Sequence, residues 1–250
     1  MTPKSELPTP RADWGLFFDI DGTLLEIAPT PDAVIVGDRV LAVLQALHEA
    51  TDGALALVSG RALDTIDELF APLRLPASGL HGLEMRLANG EVRRPPPPTK
   101  GFKHMRAALD DFASAHQGLL LEDKGLSLAL HYRLAPELEV QARARVENLI
   151  ATWGQGYSLL AGKMVFEIKP AHTDKGKVIE AFMASEPFAG RCPVYVGDDV
   201  TDEDAFIVVN RLGGLTVHVG PTLTTQAHHM VADVPHLLDW LAMAAEQMRS

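Results

Sequence analysis

The chain has almost no cysteine. Cys192 stands alone among 250 residues, so no intrachain disulfide and no thiolate-rich metal centre can form. A single thiol fits a reducing compartment. Long apolar runs are missing too: no window reaches the ~18–20 residues that span a bilayer. Residues Met1 to Arg11 are polar, carry three prolines, and lack the apolar stretch of a signal peptide. The expectation is a soluble, cytoplasmic protein with no membrane partner. Positive charge is scarce as well. Lys and Arg number 22 against 33 Asp and Glu, the net charge is −11, and no basic stretch offsets it. Nucleic acid is therefore excluded as a partner. A phosphorylated small molecule would have to be met by local cations or by a metal. No internal repeat is present.

The remaining pattern is ordinary for a soluble chain, with 47% apolar residues. Leu16 to Ile20 reads as a short buried strand, followed by a helix over Arg39 to Ala50 with Val40, Leu41, Val43, Leu44 and Leu47 on one stripe. Ala54 to Val58 is a second strand and Ala62 to Phe70 a second helix. This alternation predicts a parallel sheet covered on both faces.

The pattern then changes: a hairpin turn at Gly90, a stiff Pro95–Pro98 stretch, and an amphipathic helix from Phe102 to Ala113. An alternating strand over Leu126 to Arg133, a helix over Glu137 to Trp153 and a second alternating strand over Met164 to Ile168 follow. From Lys175 the α/β pattern resumes. It has a helix to Ser185, a strand at Pro193 to Val196, a capping box at Thr201-Asp202-Glu203-Asp204, a strand at Leu215 to Val219, and an apolar helix from about Pro235. The fold class expected is α/β: a Rossmann-like parallel core over 1–91 and 171–250, interrupted by a smaller α/β cap over 92–170.

Two strand ends are acidic. Asp19 and Asp21 follow the first strand, and Asp198, Asp199 and Asp202 follow the strand at Pro193 to Val196. Ligands in open α/β sheets sit beyond the carboxyl ends of strands. Converging carboxylates need a cation, and an all-oxygen set favours Mg²⁺. Taken alone, the 198–202 cluster also reads as an acid-decorated helix N-terminus. Ser59-Gly60-Arg61 precedes a helix, either as an anion site or as a simple Ser cap. Lys175 opens a helix, where a cation is unfavourable for the dipole, so it is either a working residue or a solvated one.

Asp19-Ile-Asp21-Gly-Thr, Ser59-Gly-Arg, Lys175-Gly and Gly-Asp198-Asp-Val-Thr-Asp202 resemble, in order, the four motifs of haloacid-dehalogenase-superfamily phosphatases. Residues 52–61, 79–84 (Gly-Leu-His-Gly-Leu-Glu), 130–133 (Leu-His-Tyr-Arg), 162–170 and 197–203 are similar to bacterial trehalose-6-phosphate phosphatases. The resemblance weakens around Gly101 to Leu121. It implies hydrolysis of trehalose 6-phosphate through an aspartyl-phosphate on Asp19, with Asp21 as general acid and base. Mg²⁺ would be held by Asp19, Asp198 and the backbone carbonyl of Asp21. Ser59 and Lys175, helped by Gly60 and Arg61, would hold the phosphoryl oxygens. Asp202 would support the metal or orient Lys175. A functional link to a trehalose-phosphate synthase would follow.

Strand alternation puts Lys163, Val165 and Glu167 on one face, and Ser127, Ala129, His131 and Arg133 on the face opposite Leu128 and Leu130. By alternation this is an ordinary half-wet sheet. By resemblance, Glu122, Lys124, Arg133, Lys163 and Glu167 are sugar contacts. Hinges would lie near Leu87–Pro98 and Lys169–Thr173, and closure of the cap would complete the site. The competing functions are a phosphatase for another sugar phosphate, a phosphomutase, and a non-catalytic sugar-phosphate sensor.

Overall fold

The computed structural model describes residues 6–28, 30, 34–94, 99–171, 174–222 and 224–248. The Pro95–Pro98 stretch and parts of both expected hinges lie outside these residues. The chain forms two compact units, Met1–Arg93 with Asp174–Ser250, and Arg94–Thr173. Among the described residues no helix is long and apolar enough to cross a membrane.

The larger unit is built on strands too apolar to face water. β1 (Trp14–Phe18), β2 (Leu55–Val58) and β11 (Leu215–Val219) are buried at every position, and β10 (Cys192–Gly197) at all but its first. Such strands need cover on both faces. With β3 (Ala77–Gly79), β4 (Glu84–Arg86), β5 (Val92–Arg93) and β12 (His229–Val231) they form one eight-stranded sheet. Its order is β12-β11-β10-β1-β2-β3-β4-β5. The first six strands are parallel; β4 and β5 add antiparallel at one edge.

Alternation along β1 splits the core. Leu16 and Phe18 join the layer of α1 (Asp38–Ala50), α2 (Leu63–Phe70) and α7 (Val234–Met248). Phe17 faces the other layer, with α5 (Lys175–Met183) and α6 (Glu203–Arg211). In α1 the buried residues Val40, Val43, Leu44 and Leu47 keep the expected stripe. The chain leaves β1 toward β2 on one side, and β10 docks on the other. The sheet order therefore reverses beside β1, the position at which open α/β sheets bind ligands.

The smaller unit is an antiparallel sheet, β6 (Leu120–Asp123), β7 (Leu128–His131), β9 (Val165–Pro170) and β8 (Tyr157–Gly162), in the order β6-β7-β9-β8. Leu128, Leu130, Phe166 and Ile168 pack against α3 (Lys100–Ser114) and α4 (Glu139–Trp153). Three expectations are corrected. The strand expected from Met164 begins at Val165, because Lys163 and Met164 form the two-residue turn that pairs Gly162 with Val165, and Met164 has φ 63°. Lys163 therefore does not sit in the strand row of Val165 and Glu167. The strand expected over 126–133 shortens to β7. The capping box lies two residues earlier than expected, with Asp199 as the cap and Asp202 as its partner.

Candidate active site

The carboxyl ends of β1 and β10 lie side by side. Phe18 pairs with Val196, and the Asp19 N–H donates to the Val196 carbonyl at 3.0 Å. This pairing brings Asp19 close to Asp198, 179 positions further along the chain. Asp19, Asp198 and Asp202 are all buried, and each offers a carboxylate oxygen within 4.8 Å of the others. Lys175, at the first position of α5, is 2% exposed. Its Nζ lies 2.9 Å from Asp19 Oδ1 and 2.6 Å from Asp202 Oδ1. The helix-opening lysine is thus a buried, doubly paired cation.

Asp202 holds this arrangement in place. Its Oδ1 accepts from Lys175 and from the Tyr195 hydroxyl, both at 2.6 Å. Its Oδ2 accepts from the backbone N–H groups of Asp198 at 3.0 Å and Asp199 at 2.9 Å. Four donors fill the four lone-pair sites of one carboxylate. Both oxygens of Asp202 are therefore held by protein donors, one of them Lys175. The Asp202 Cγ also fixes Gly197: a Cβ there would come within 2.3 Å of it.

The titration of the group follows from its burial. Burial lifts the Asp19 carboxyl well above its ordinary range; Lys175 pulls it back only in part, and Asp202 and Asp198 push it further up. Burial would depress Lys175, but Asp19 and Asp202 outweigh it and hold the ammonium above its ordinary value. Burial opposes ionisation of Asp202, yet Lys175, Tyr195 and the Asp199 N–H hold it below the usual carboxylate range. Burial, together with Asp202 and Asp19, keeps the Tyr195 phenol well above its ordinary value. Three carboxylates thus gather around one ammonium, with Asp202 filled by protein donors and Asp19 and Asp198 at the two strand ends. The all-oxygen donors of that pair suit a hard divalent cation.

Asp21 points elsewhere. Both its oxygens are taken by Arg61, with Nε and one terminal nitrogen each at 2.7 Å. Arg61, expected to bind phosphate, is committed to this bidentate pair. Gly22 has φ 87°, and a Cβ there would lie 2.2 Å from Asp198 Oδ2, so only glycine lets the two loops approach. Ser59 is 1% exposed, and its Oγ accepts from the Arg61 N–H at 3.2 Å. It does not cap α2. The cap residue is Ala62, and the Leu63 N–H is already taken by the Glu84 carboxylate at 2.9 Å. The open helix N-terminus expected after Ser59 is therefore partly filled.

Four residues here were given no role by the sequence reading, although Thr23, His81 and Glu84 lie within its motifs. Thr23 donates to Asp198 Oδ1 at 3.2 Å. Tyr195 and Glu84 are described above. His81 packs its imidazole against Gly60, where a Cβ would come within 2.6 Å of Nε2. Leu80 and His81 both have positive φ, 51° and 55°, and their N–H groups bond the carbonyls of Arg61 and Ser59. Two successive non-glycine residues in that region are costly and cluster at functional sites.

The smaller unit carries its own polar group. Across the sheet, Glu122 faces Ala129 and Ala129 faces Glu167. Lys124 Nζ reaches Glu167 Oε2 at 3.2 Å, and His131 Nε2 reaches Glu122 Oε2 at 2.9 Å. Arg133 donates to the Lys163 backbone carbonyl at 3.2 Å.

Residues 17–236 match the family model described as trehalose-phosphatase. The chain belongs to the trehalose-phosphatase family. The trehalose-6-phosphate phosphatase of Escherichia coli (strain K12) is 45% identical over 241 residues, covering 96% of this chain and 90% of that one. The probable trehalose-phosphate phosphatase of Sinorhizobium fredii (strain NBRC 101917 / NGR234) is 46% identical over 217 residues, covering 87% and 82%. The C-terminal domain of Candida albicans trehalose-6-phosphate phosphatase superposes with a TM-score of 0.82 over 95% of this chain and 93% of its own. At 23% identity, that likeness is one of fold. The haloacid-dehalogenase-like architecture expected from the motifs of this trehalose-phosphatase family member is borne out.

Proposed function

We propose that the protein hydrolyses trehalose 6-phosphate to trehalose and phosphate, with Mg²⁺, through a phosphoenzyme on Asp19. The observation that carries the reading is the buried set of Asp19, Asp198 and Lys175 held by Asp202 at the switch point of the sheet. A phosphate monoester repels nucleophiles by its own charge, so catalysis rests on positioning and charge neutralisation. When bound, Mg²⁺ held by Asp19 and Asp198 supplies that neutralisation and orients the phosphoryl group. Lys175 pairs with Asp19 on the protein side and offers its remaining donor to a phosphoryl oxygen. Ser59 offers a hydroxyl from the neighbouring strand end.

Asp19 attacks phosphorus, and Asp21 gives a proton to the departing sugar oxygen. In the second half-reaction Asp21 takes a proton from the attacking water. Both oxygens of Asp21 now accept from Arg61, a pairing that leaves the acid role to a rearranged site. The first half needs the guanidinium to turn away, and an arriving phosphoryl group is a competing partner for it. We assign the sugar to the polar face of the smaller sheet, around Glu122, Lys124 and Glu167, with Arg133 and Lys163 at its end. The single unpaired thiol favours the cytoplasm, and a trehalose-phosphate synthase is the functional link upstream.

The test is phosphate release from a panel of sugar phosphates, with Mg²⁺ and with chelator, for the wild type and Asp19→Asn. Trehalose 6-phosphate should lead the panel, chelator should stop turnover, and the variant should be inactive. A preferred substrate of another sugar, or retention of phosphate on the sugar, would replace the reading.

A further inference from the structure

The His131–Glu122 pair sits at the accessible side of the smaller sheet. Its side chains are 22% and 29% exposed, against 11% and 6% for Lys124 and Glu167. The register explains the geometry. Glu122 lies opposite Ala129, two residues before His131 on the same face of β7, so the imidazole reaches Glu122 diagonally. The small, fully buried side chain of Ala129 lies between Glu122 and Glu167, whose strands are about 10 Å apart at two strand spacings. Each carboxylate is thus held from one side, Glu122 by His131 and Glu167 by Lys124, with Ala129 between them.

Burial raises the Glu122 carboxyl, but His131 and Lys124 outweigh it and hold it below its ordinary value. An ionised carboxylate only accepts, so Nε2 of His131 carries the hydrogen and donates. The apolar layer of the unit lies on the opposite face, with Leu128, Leu130 and Phe166. His131 therefore does not pack in that layer, and its pair with Glu122 is part-buried on the polar face.

We propose that His131 is a positioning residue for the sugar end of the substrate, fixing one oxygen of Glu122 so that the other accepts from a sugar hydroxyl. The proposal rests on the trehalose 6-phosphate reading. Without His131 the Glu122 side chain regains its rotamers, and binding must order it again.

The experiment compares His131→Ala, His131→Gln, Glu122→Gln and the double variant His131→Ala/Glu122→Gln on trehalose 6-phosphate and on p-nitrophenyl phosphate, which has no sugar. Loss of one oriented hydrogen bond predicts a KM for trehalose 6-phosphate raised about tenfold in His131→Ala, with kcat within about twofold. The ratio of kcat/KM between the two substrates should fall by the same factor. His131→Gln, whose amide places a donor near the old Nε2, should recover most of the loss. The double variant should be no worse than Glu122→Gln alone. A wild-type KM in His131→Ala, equal losses on both substrates, or multiplying effects in the double variant would overturn the proposal. Should His131→Ala unfold, the glutamine variant carries the test alone, and a tenfold loss there with an unchanged melting temperature would overturn it. A wild type with no preference for trehalose 6-phosphate would remove the sugar reading itself, and that outcome is visible before any variant is made.

Discussion

Asp202→Asn separates two roles that one carboxylate could play. If Asp202 organises the site, its removal acts on the protein itself, with or without metal. The side chain is fully buried and accepts from Lys175, Tyr195 and two backbone N–H groups. An amide replaces two lone pairs by N–H groups, so one pair of donors meets another. Lys175 then shares its charge with Asp19 alone. Breaking one side of a buried pair costs roughly 3–5 kcal/mol. At about 2–4 °C per kcal/mol for a chain of this size, the melting temperature of the larger unit should fall by roughly 6–20 °C. Misplacing Lys175 should lower kcat on the order of 10²–10³. The assay is calorimetry in chelator, beside phosphate release in excess Mg²⁺. A metal ligand would behave oppositely, leaving melting in chelator unchanged and raising only the Mg²⁺ requirement. That result would refute the argument from filled lone pairs.

Three further outcomes follow from the geometry. Gly22→Ala puts a Cβ against Asp198 at a positive φ, and should cut Mg²⁺-dependent turnover by about 10² or more in kinetics at saturating metal. Because burial raises the Asp19 carboxyl, a proton and Mg²⁺ compete for it. The Mg²⁺-induced rise in melting temperature should therefore shrink as pH falls through the raised Asp19 range, and equal rises at all pH values would contradict this. Glu167→Ala should reduce turnover of trehalose 6-phosphate far more than that of p-nitrophenyl phosphate, as read from the two kcat/KM values; equal losses would remove the smaller sheet from sugar binding.

What the sequence made legible was local. Asp19 and Asp198 end apolar strands, and strand ends are where ligands gather, so both could be named from position alone. The partnerships that decide their chemistry were hidden. Arg61 and Asp21 are 40 residues apart, and nothing in either motif says that they bond each other. Tyr195 lies within an apolar strand and reads there as one more core residue, although its hydroxyl meets Asp202. The strands β3, β6, β8 and β12 were missed because they are short, or, in β8, because Tyr157-Ser-Leu-Leu-Ala-Gly lacks a clean alternation. Lys163 was put in a strand because Met164 continued the apolar rhythm, while the backbone turned sharply at Met164.

The pairing of β1 with β10 has a consequence for synthesis. Asp19 emerges early from the ribosome, but Lys175 and Asp198 arrive only after the whole middle section has been translated. Until then β1 has an open flank, with Phe17 lacking its covering helices. A nascent or prematurely ended chain carries Asp19 without its partners, so the buried set forms only when the two separated stretches of the larger unit have met.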